Sequence, residues 1–122
     1  MRVIFKYGIK LNPVVQIDEA NDGMQALDKI KRDFEENGFS SYPLILMDCN
    51  MPFMDGYEAT KQIREFIRIN GLPQPTIIAV TGHTEQLYID KSLKSGMNTV
   101  LSKPVDPTVL KEIIVDLKCY EL

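Results

Sequence analysis

Positive charge, long apolar runs and cysteine are all scarce in this chain. The formal net charge of -3 leaves no basic excess for a nucleic-acid surface, and no local basic patch stands out to supply one. No apolar stretch approaches the ~18 residues that would cross a bilayer, and the N-terminus has no signal-peptide core, so nothing is expected to span a membrane. Cys49 and Cys119 are too few and too far apart for a disulfide or zinc framework. A free buried thiol at Cys49 suits a reducing, cytoplasmic setting. Linkers, repeats and low-complexity tracts are absent too, so the 122 residues fit one domain, and an apolar fraction of 44% is ample for its core.

What is present is an alternation of strands and helices. Val14-Val15-Gln16-Ile17 reads as a strand. Asn21-Asp22-Gly23 then caps a helix with Ala26, Leu27, Ile30 and Phe34 inward, closed by Asn37-Gly38. Leu44 to Met47 is a continuous apolar run bounded by Pro43 and Pro52, the pattern of a strand buried on both faces. Asp55, with Glu58 three residues on, starts a helix carrying Ala59, Ile63, Phe66 and Ile67, which ends at Asn70-Gly71. Thr76 to Val80 is a third strand. Thr84 caps a helix carrying Leu87 and Leu93 that stops at Gly96. Thr99 to Ser102 is a fourth strand. Asp106 caps the last helix, with Pro107 at its first position and Val109, Leu110, Ile113, Ile114 and Leu117 along its apolar side. Short connections between such elements give a parallel sheet covered on both faces.

Three chemically distinct groups fall at strand ends: Asp48 after Met47, Thr81 after Val80 and Lys103 after Ser102. Open α/β sheets keep their ligand sites at the carboxyl edge. An acid, a hydroxyl and an ammonium together there suit a phosphoryl group bound to a carboxylate. Each residue alone has a plainer reading, as a turn-capping acid, a strand-end threonine and a surface lysine. A hydrolase of the haloacid-dehalogenase type would also use a strand-end Asp, but it wants a second Asp two residues on, where this chain has Asn50. His83, the one histidine, falls in a loop and reads as a surface residue.

Asp48, Met51-Pro52, Asp55-Gly56, Thr81-Gly82, Ser95-Gly96-Met97 and Lys103-Pro104 together resemble the receiver (response-regulator) domain of two-component phosphorelays, in the phrasing of hybrid histidine kinases. The resemblance implies a flavodoxin-like sheet in the order 2-1-3-4-5, with Asp48 as phosphoacceptor, Thr81 and Lys103 as ligands of the phosphoryl group, and Mg²⁺ bound by Asp48 and the backbone carbonyl of Asn50. It implies a histidine kinase or histidine phosphotransfer protein as partner, and an acceptor role rather than a turnover enzyme. A cis bond before Pro104 would aim Lys103 at Asp48. Val100 stands where many receivers carry an aromatic residue that reports phosphorylation.

One family piece has no counterpart, the first strand ending in a pair of metal-holding acids. The chain opens Met1-Arg2-Val3-Ile4-Phe5-Lys6-Tyr7, which reads as the back half of the first helix, with Val3, Ile4, Tyr7 and Leu11 inward, although composition alone allows Val3-Ile4-Phe5 as a strand. The expected fold is therefore an N-terminally truncated flavodoxin-like sheet, its central strand missing. That gap would hold the flanking strands about 10 Å apart. It predicts a chain that is marginal, swapped, self-associated or repaired by pairing those strands. Asp18 and Glu19 are the nearest substitutes for the acids, and a solvated loop is their plainer reading. Without the acids, an interaction module that is never phosphorylated is the alternative function.

Overall fold

The computed structural model describes residues 2–4, 16–18, 20, 22–39, 42–49, 55–82 and 85–116, with backbone alone for 2–4, 16–18 and 114–116. Among them lie strands β1 (Arg2–Ile4), β2 (Gln16–Asp18), β3 (Leu44–Asp48), β4 (Thr76–Thr81) and β5 (Thr99–Ser102). The helices are α1 (Gly23–Asn37), α2 (Gly56–Ile69), α3 (Gln86–Ser95) and α4 (Pro107–Asp116). All strand pairs are parallel, in the order β2-β1-β3-β4-β5. This is the flavodoxin-like order the sequence implied.

The expectation of an absent first strand is corrected. Arg2–Ile4 is extended and central, pairing Arg2 with Gln16, Val3 with Ile17 and Ile4 with Asp18 on one side. On the other side Val3 pairs with Leu44 and Ile4 with Ile45. The reason is the one that made the gap untenable: unpaired backbone groups facing each other across it cost about 1–3 kcal/mol each. Three residues of strand pair with β2 along its length and with Leu44 and Ile45 of β3, so the flanking strands need not meet there. The rest of the supposed N-terminal helix, including Tyr7 and Leu11, lies outside the described residues.

Period-2 alternation places Ile45, Met47, Cys49, Ile77 and Ala79 in one buried cluster with Ala26, Leu27 and Ile30 of α1 and Ala59, Ile63 and Ile67 of α2. Leu44, Leu46, Ile78 and Val80 point the other way and are buried as well, as is Leu110 of α4. Both faces of β3 and β4 are thus covered. Phe34 and Phe66 meet edge to face at 5.8 Å between ring centres, joining α1 to α2.

The helix ends follow sequence chemistry. Asp22 and Asp55 accept the amides of Gln25 and Glu58 at 2.9 Å each. Asp106 accepts the Thr108 amide at 2.8 Å. Helix α3 departs from expectation. Leu87 and Leu93, expected inward, are 74% and 47% exposed, and the buried residues of this helix are Ser92 and Ser95. Thr84 lies outside the described residues, and Glu85 at the cap position makes no side-chain cap bond. Val109 of α4 is also exposed, whereas Leu110 is fully buried.

Arg64 fastens α2 to the far half of the sheet. Its guanidinium donates to the Gly96 carbonyl at 2.9 and 2.7 Å, the Pro75 carbonyl at 2.6 Å and Asn98 Oδ1 at 2.7 Å. Asn98 Oδ1 in turn accepts the Ile77 amide at 2.8 Å. Arg64→Ala should cost about 1.5–3 kcal/mol in urea unfolding, because charged hydrogen bonds to part-buried carbonyls are lost. Arg64→Lys should recover little of it, since one ammonium cannot reproduce a planar fork.

Candidate functional site

The register explains why the strand-end groups meet. Asp48 of β3 pairs with Val80 of β4, and Val80 pairs with Leu101 of β5. Paired residues share a face, and Lys103, two residues past Leu101, returns to that same face. Its ammonium reaches Asp48 Oδ2 at 2.8 Å. The Lys103–Pro104 bond is cis, as the resemblance implied, and the Lys103 amide donates to the Thr81 carbonyl at 2.9 Å. Thr81 is buried at the end of β4, one residue beyond the level of Asp48.

The setting of the two charges differs. Asp48 is 2% exposed, while the Lys103 side chain keeps 31% of its surface. The acid is therefore enclosed in the sheet edge, and the ammonium sits at the partly exposed rim. The Cys49 amide donates to the Val80 carbonyl at 3.3 Å, which prolongs the β3–β4 ladder by one residue.

Two features here carry no sequence motif of their own chemistry. Gly56 starts α2 directly above the acid: a Cβ there would lie 2.3 Å from the Asp48 carbonyl oxygen and 2.9 Å from Met47 Cγ. Asp55-Gly56 was legible as part of the resemblance, but the close approach was not. The second is a buried polar trio, with Cys49 Sγ in hydrogen-bonding reach of the Tyr57 hydroxyl and 3.9 Å from Ser92 Oγ. Ser92 Oγ also bonds the Tyr88 carbonyl at 2.9 Å.

Burial pushes the Cys49 thiol up from its ordinary range. Burial and then the Cys49 hydrogen bond push Tyr57 from 10.0 to about 12. A raised pKa means that the folded state holds this proton more tightly than the unfolded state does. The stability it contributes is whole below pH 10 and is lost as pH rises towards 12. Ultraviolet titration should show Tyr57 ionising late, and Tyr57→Phe should remove that late component and flatten the fall of the melting temperature across that window.

Of the two substitute acids, only the Asp18 backbone is described, and it stands away from the site. Asp18 stands level with Ile4, and Ile4 level with Ile45, three residues short of Asp48 and two strands away. That places its backbone roughly 14 Å from Asp48. Glu19, Asn50, His83 and the Met51-Pro52 turn lie outside the described residues. The chain carries no carboxylate in Phe5-Lys6-Tyr7 after β1. Among the described residues no three acidic, histidine or cysteine side chains form a metal-binding group. The donor set fits a magnesium ion held through one carboxylate and largely by water, a mode Mg²⁺ tolerates.

The model of the family described as response regulator receiver domain matches residues 1–115. The chain is 38% identical over 104 residues to the autoinducer 2 sensor kinase/phosphatase LuxQ of Vibrio parahaemolyticus, covering 85% of this chain and 11% of that protein. It is 36% identical over 113 residues to the osmosensing histidine protein kinase SLN1 of Saccharomyces cerevisiae, covering 93% of this chain and 9% of that one. The chain thus spans about a tenth of the length of these curated relatives. Among solved structures it is similar to the receiver domain of the sensor histidine kinase PA1611 of Pseudomonas aeruginosa, with magnesium coordinated in that protein's active-site cleft. That match has TM-score 0.71 and 29% identity, and covers 95% of this chain and 94% of that one. The receiver domain of the histidine kinase CKI1 of Arabidopsis thaliana, complexed with Mg²⁺, matches at TM-score 0.68 and 33% identity, covering 80% of this chain and 73% of that one.

Proposed function

The chain belongs to the response regulator receiver domain family, and from that premise we propose that Asp48 is the residue that takes the phosphoryl group in a two-component phosphorelay. The observation that carries this is the 2.8 Å contact between Lys103 Nζ and Asp48 Oδ2, made across two strand ends at the carboxyl edge. A carboxylate oxygen of Asp48 attacks phosphorus in line. The bond from phosphorus to the donor's imidazole nitrogen breaks, and its electron pair stays on that nitrogen. The three phosphoryl oxygens need positive charge and hydrogen-bond donors as they arrive. Lys103, partly exposed at the rim, exchanges its carboxylate partner for one of them, and the Thr81 hydroxyl donates to another.

The partner in this reading is a histidine kinase or histidine phosphotransfer protein, the setting is cytoplasmic, and the chain is a phosphoacceptor rather than a turnover enzyme. Mg²⁺ would be held by Asp48, with the Asn50 carbonyl, and would supply further neutralisation of the phosphoryl charge. With one carboxylate at the described site its affinity should be low and acceptance correspondingly slow.

A second reading is favoured by one observation, that among the described residues no three-residue metal-binding group is found. It makes the chain an interaction module that uses the fold without phosphorylation. A single experiment separates the two. The chain is incubated with a small-molecule phosphodonor over a series of Mg²⁺ concentrations, and its intact mass is followed. Gain of one phosphate, removed by hydroxylamine as an acyl phosphate is, supports acceptance. No gain at any Mg²⁺ concentration, with a phosphotransfer protein also tried as donor, sinks it in favour of the interaction module.

A further inference from the structure

Between α2 and α3 the surface opens into a groove of about 340 Å³, lined by Tyr57 and Lys61 of α2 and by Leu87, Asp90, Lys91 and Lys94 of α3. Its charge runs against that of the chain. Three ammonium groups accompany one carboxylate, on a protein of net charge -3. The carboxylate is already engaged, as Asp90 Oδ1 accepts Gln86 Nε2 at 2.7 Å. Lys91 lies 4.3 Å over the Tyr57 ring, so its ammonium is held above the groove wall. Among the described residues no ion pair involves Lys61, Lys91 or Lys94.

The second observation is apolar. Leu87 is 74% exposed at the same groove, and the packing of α3, which buries Ser92 and Ser95, gives it no inward place. A large aliphatic side chain left in water beside a set of lysines complements an apolar anchor flanked by carboxylates. Two neighbouring helices form the walls, and such a groove receives a third helix through residues spaced three or four apart. We propose that the α2–α3 groove is a docking site for an acidic amphipathic helix of a partner protein. Leu87 would take its apolar stripe, with the buried Tyr57 ring as the floor beneath Lys91, and Lys61, Lys91 and Lys94 would take carboxylates on either side. The proposal stands apart from the chemistry of Asp48.

The test titrates the full ¹⁵N-labelled chain with a synthetic helix whose leucine stripe is flanked by glutamates. Amide shifts should centre on the segments around Tyr57–Lys61 and Leu87–Lys94, and should weaken with added salt. The triple variant K61E/K91E/K94E should lose about tenfold in affinity and should gain binding to the same helix with lysines in place of glutamates. Lys94→Glu alone, at an exposed position, repeats the comparison if the triple variant melts early. The proposal is overturned if glutamate and lysine helices bind alike. It is also overturned if the shifts centre elsewhere, for example on Gln25, Asp28 and Arg32 of α1. Inorganic phosphate competing fully would assign the groove to a small anion, and concentration-dependent shifts without peptide would assign it to a second copy.

Discussion

Asp48→Asn is expected to reduce phosphate uptake to background, a fall of about a hundredfold or more, limited by detection. The substitution keeps side-chain size and removes the anionic nucleophile. The fold should survive it. The partner left behind is Lys103, whose side chain is 31% exposed, so its ammonium can turn to water rather than remain buried alone. Urea unfolding should therefore change by only about 1 kcal/mol. Intact mass after phosphodonor treatment reads the first effect and the denaturation midpoint reads the second. Label that persists on the variant would put the acceptor at another carboxylate and refute the assignment.

Gly56→Ala should be strongly destabilising, since among Gly38, Gly56, Gly71, Gly82 and Gly96 it alone would bring a Cβ within 3.0 Å of backbone. The added carbon would stand 2.3 Å from the Asp48 carbonyl oxygen, and backbone cannot swing aside as a flexible side chain can. Either α2 lifts off the sheet edge or β3 bends. Lifting α2 would loosen Ile63 and Ile67 in the core, while bending β3 would pull Asp48 away from Lys103. The expected cost is about 3 kcal/mol or more, at the upper end for overpacking. A drop of that size in unfolding free energy checks it; a variant as stable as the parent would mean that α2 does not sit against Asp48 as described.

Much of the site could be read from the chain because its register is set by apolar runs. Leu44 to Met47 and Thr76 to Val80 can only be buried strands, and their ends fix Asp48 and Thr81 at one edge. Lys103 follows by counting two residues past Leu101. The first strand escaped because Arg2–Ile4 is three residues long, too short for period 2 and period 3.6 to be told apart. Its tertiary role, filling a slot between two strands, overrides any local pattern. Leu87 and Leu93 misled for the opposite reason. They look like a helical stripe, but α3 packs through serines whose hydroxyls bond locally and through Cys49, a packing that no apolar pattern announces. The role of Arg64 was hidden because its partners are the carbonyls of Pro75 and Gly96, and backbone acceptors leave no trace in a sequence.

Helix α3 is tied to α2 by side-chain bonds at its last turn. Its last turn meets Gly96, whose carbonyl takes two bonds from Arg64, while Glu85 at its start makes no side-chain cap bond to the helix. Such a helix is a lever with its fulcrum at Gly96. Hydrogen exchange should grade along it, with amides of the first turn opening far more readily than those of Gly96, Met97 and Asn98. A disturbance at Thr81 would arrive at the opposite end, the start of the helix. It would swing Leu87 and Lys91 through the widest arc and leave β5 where it is.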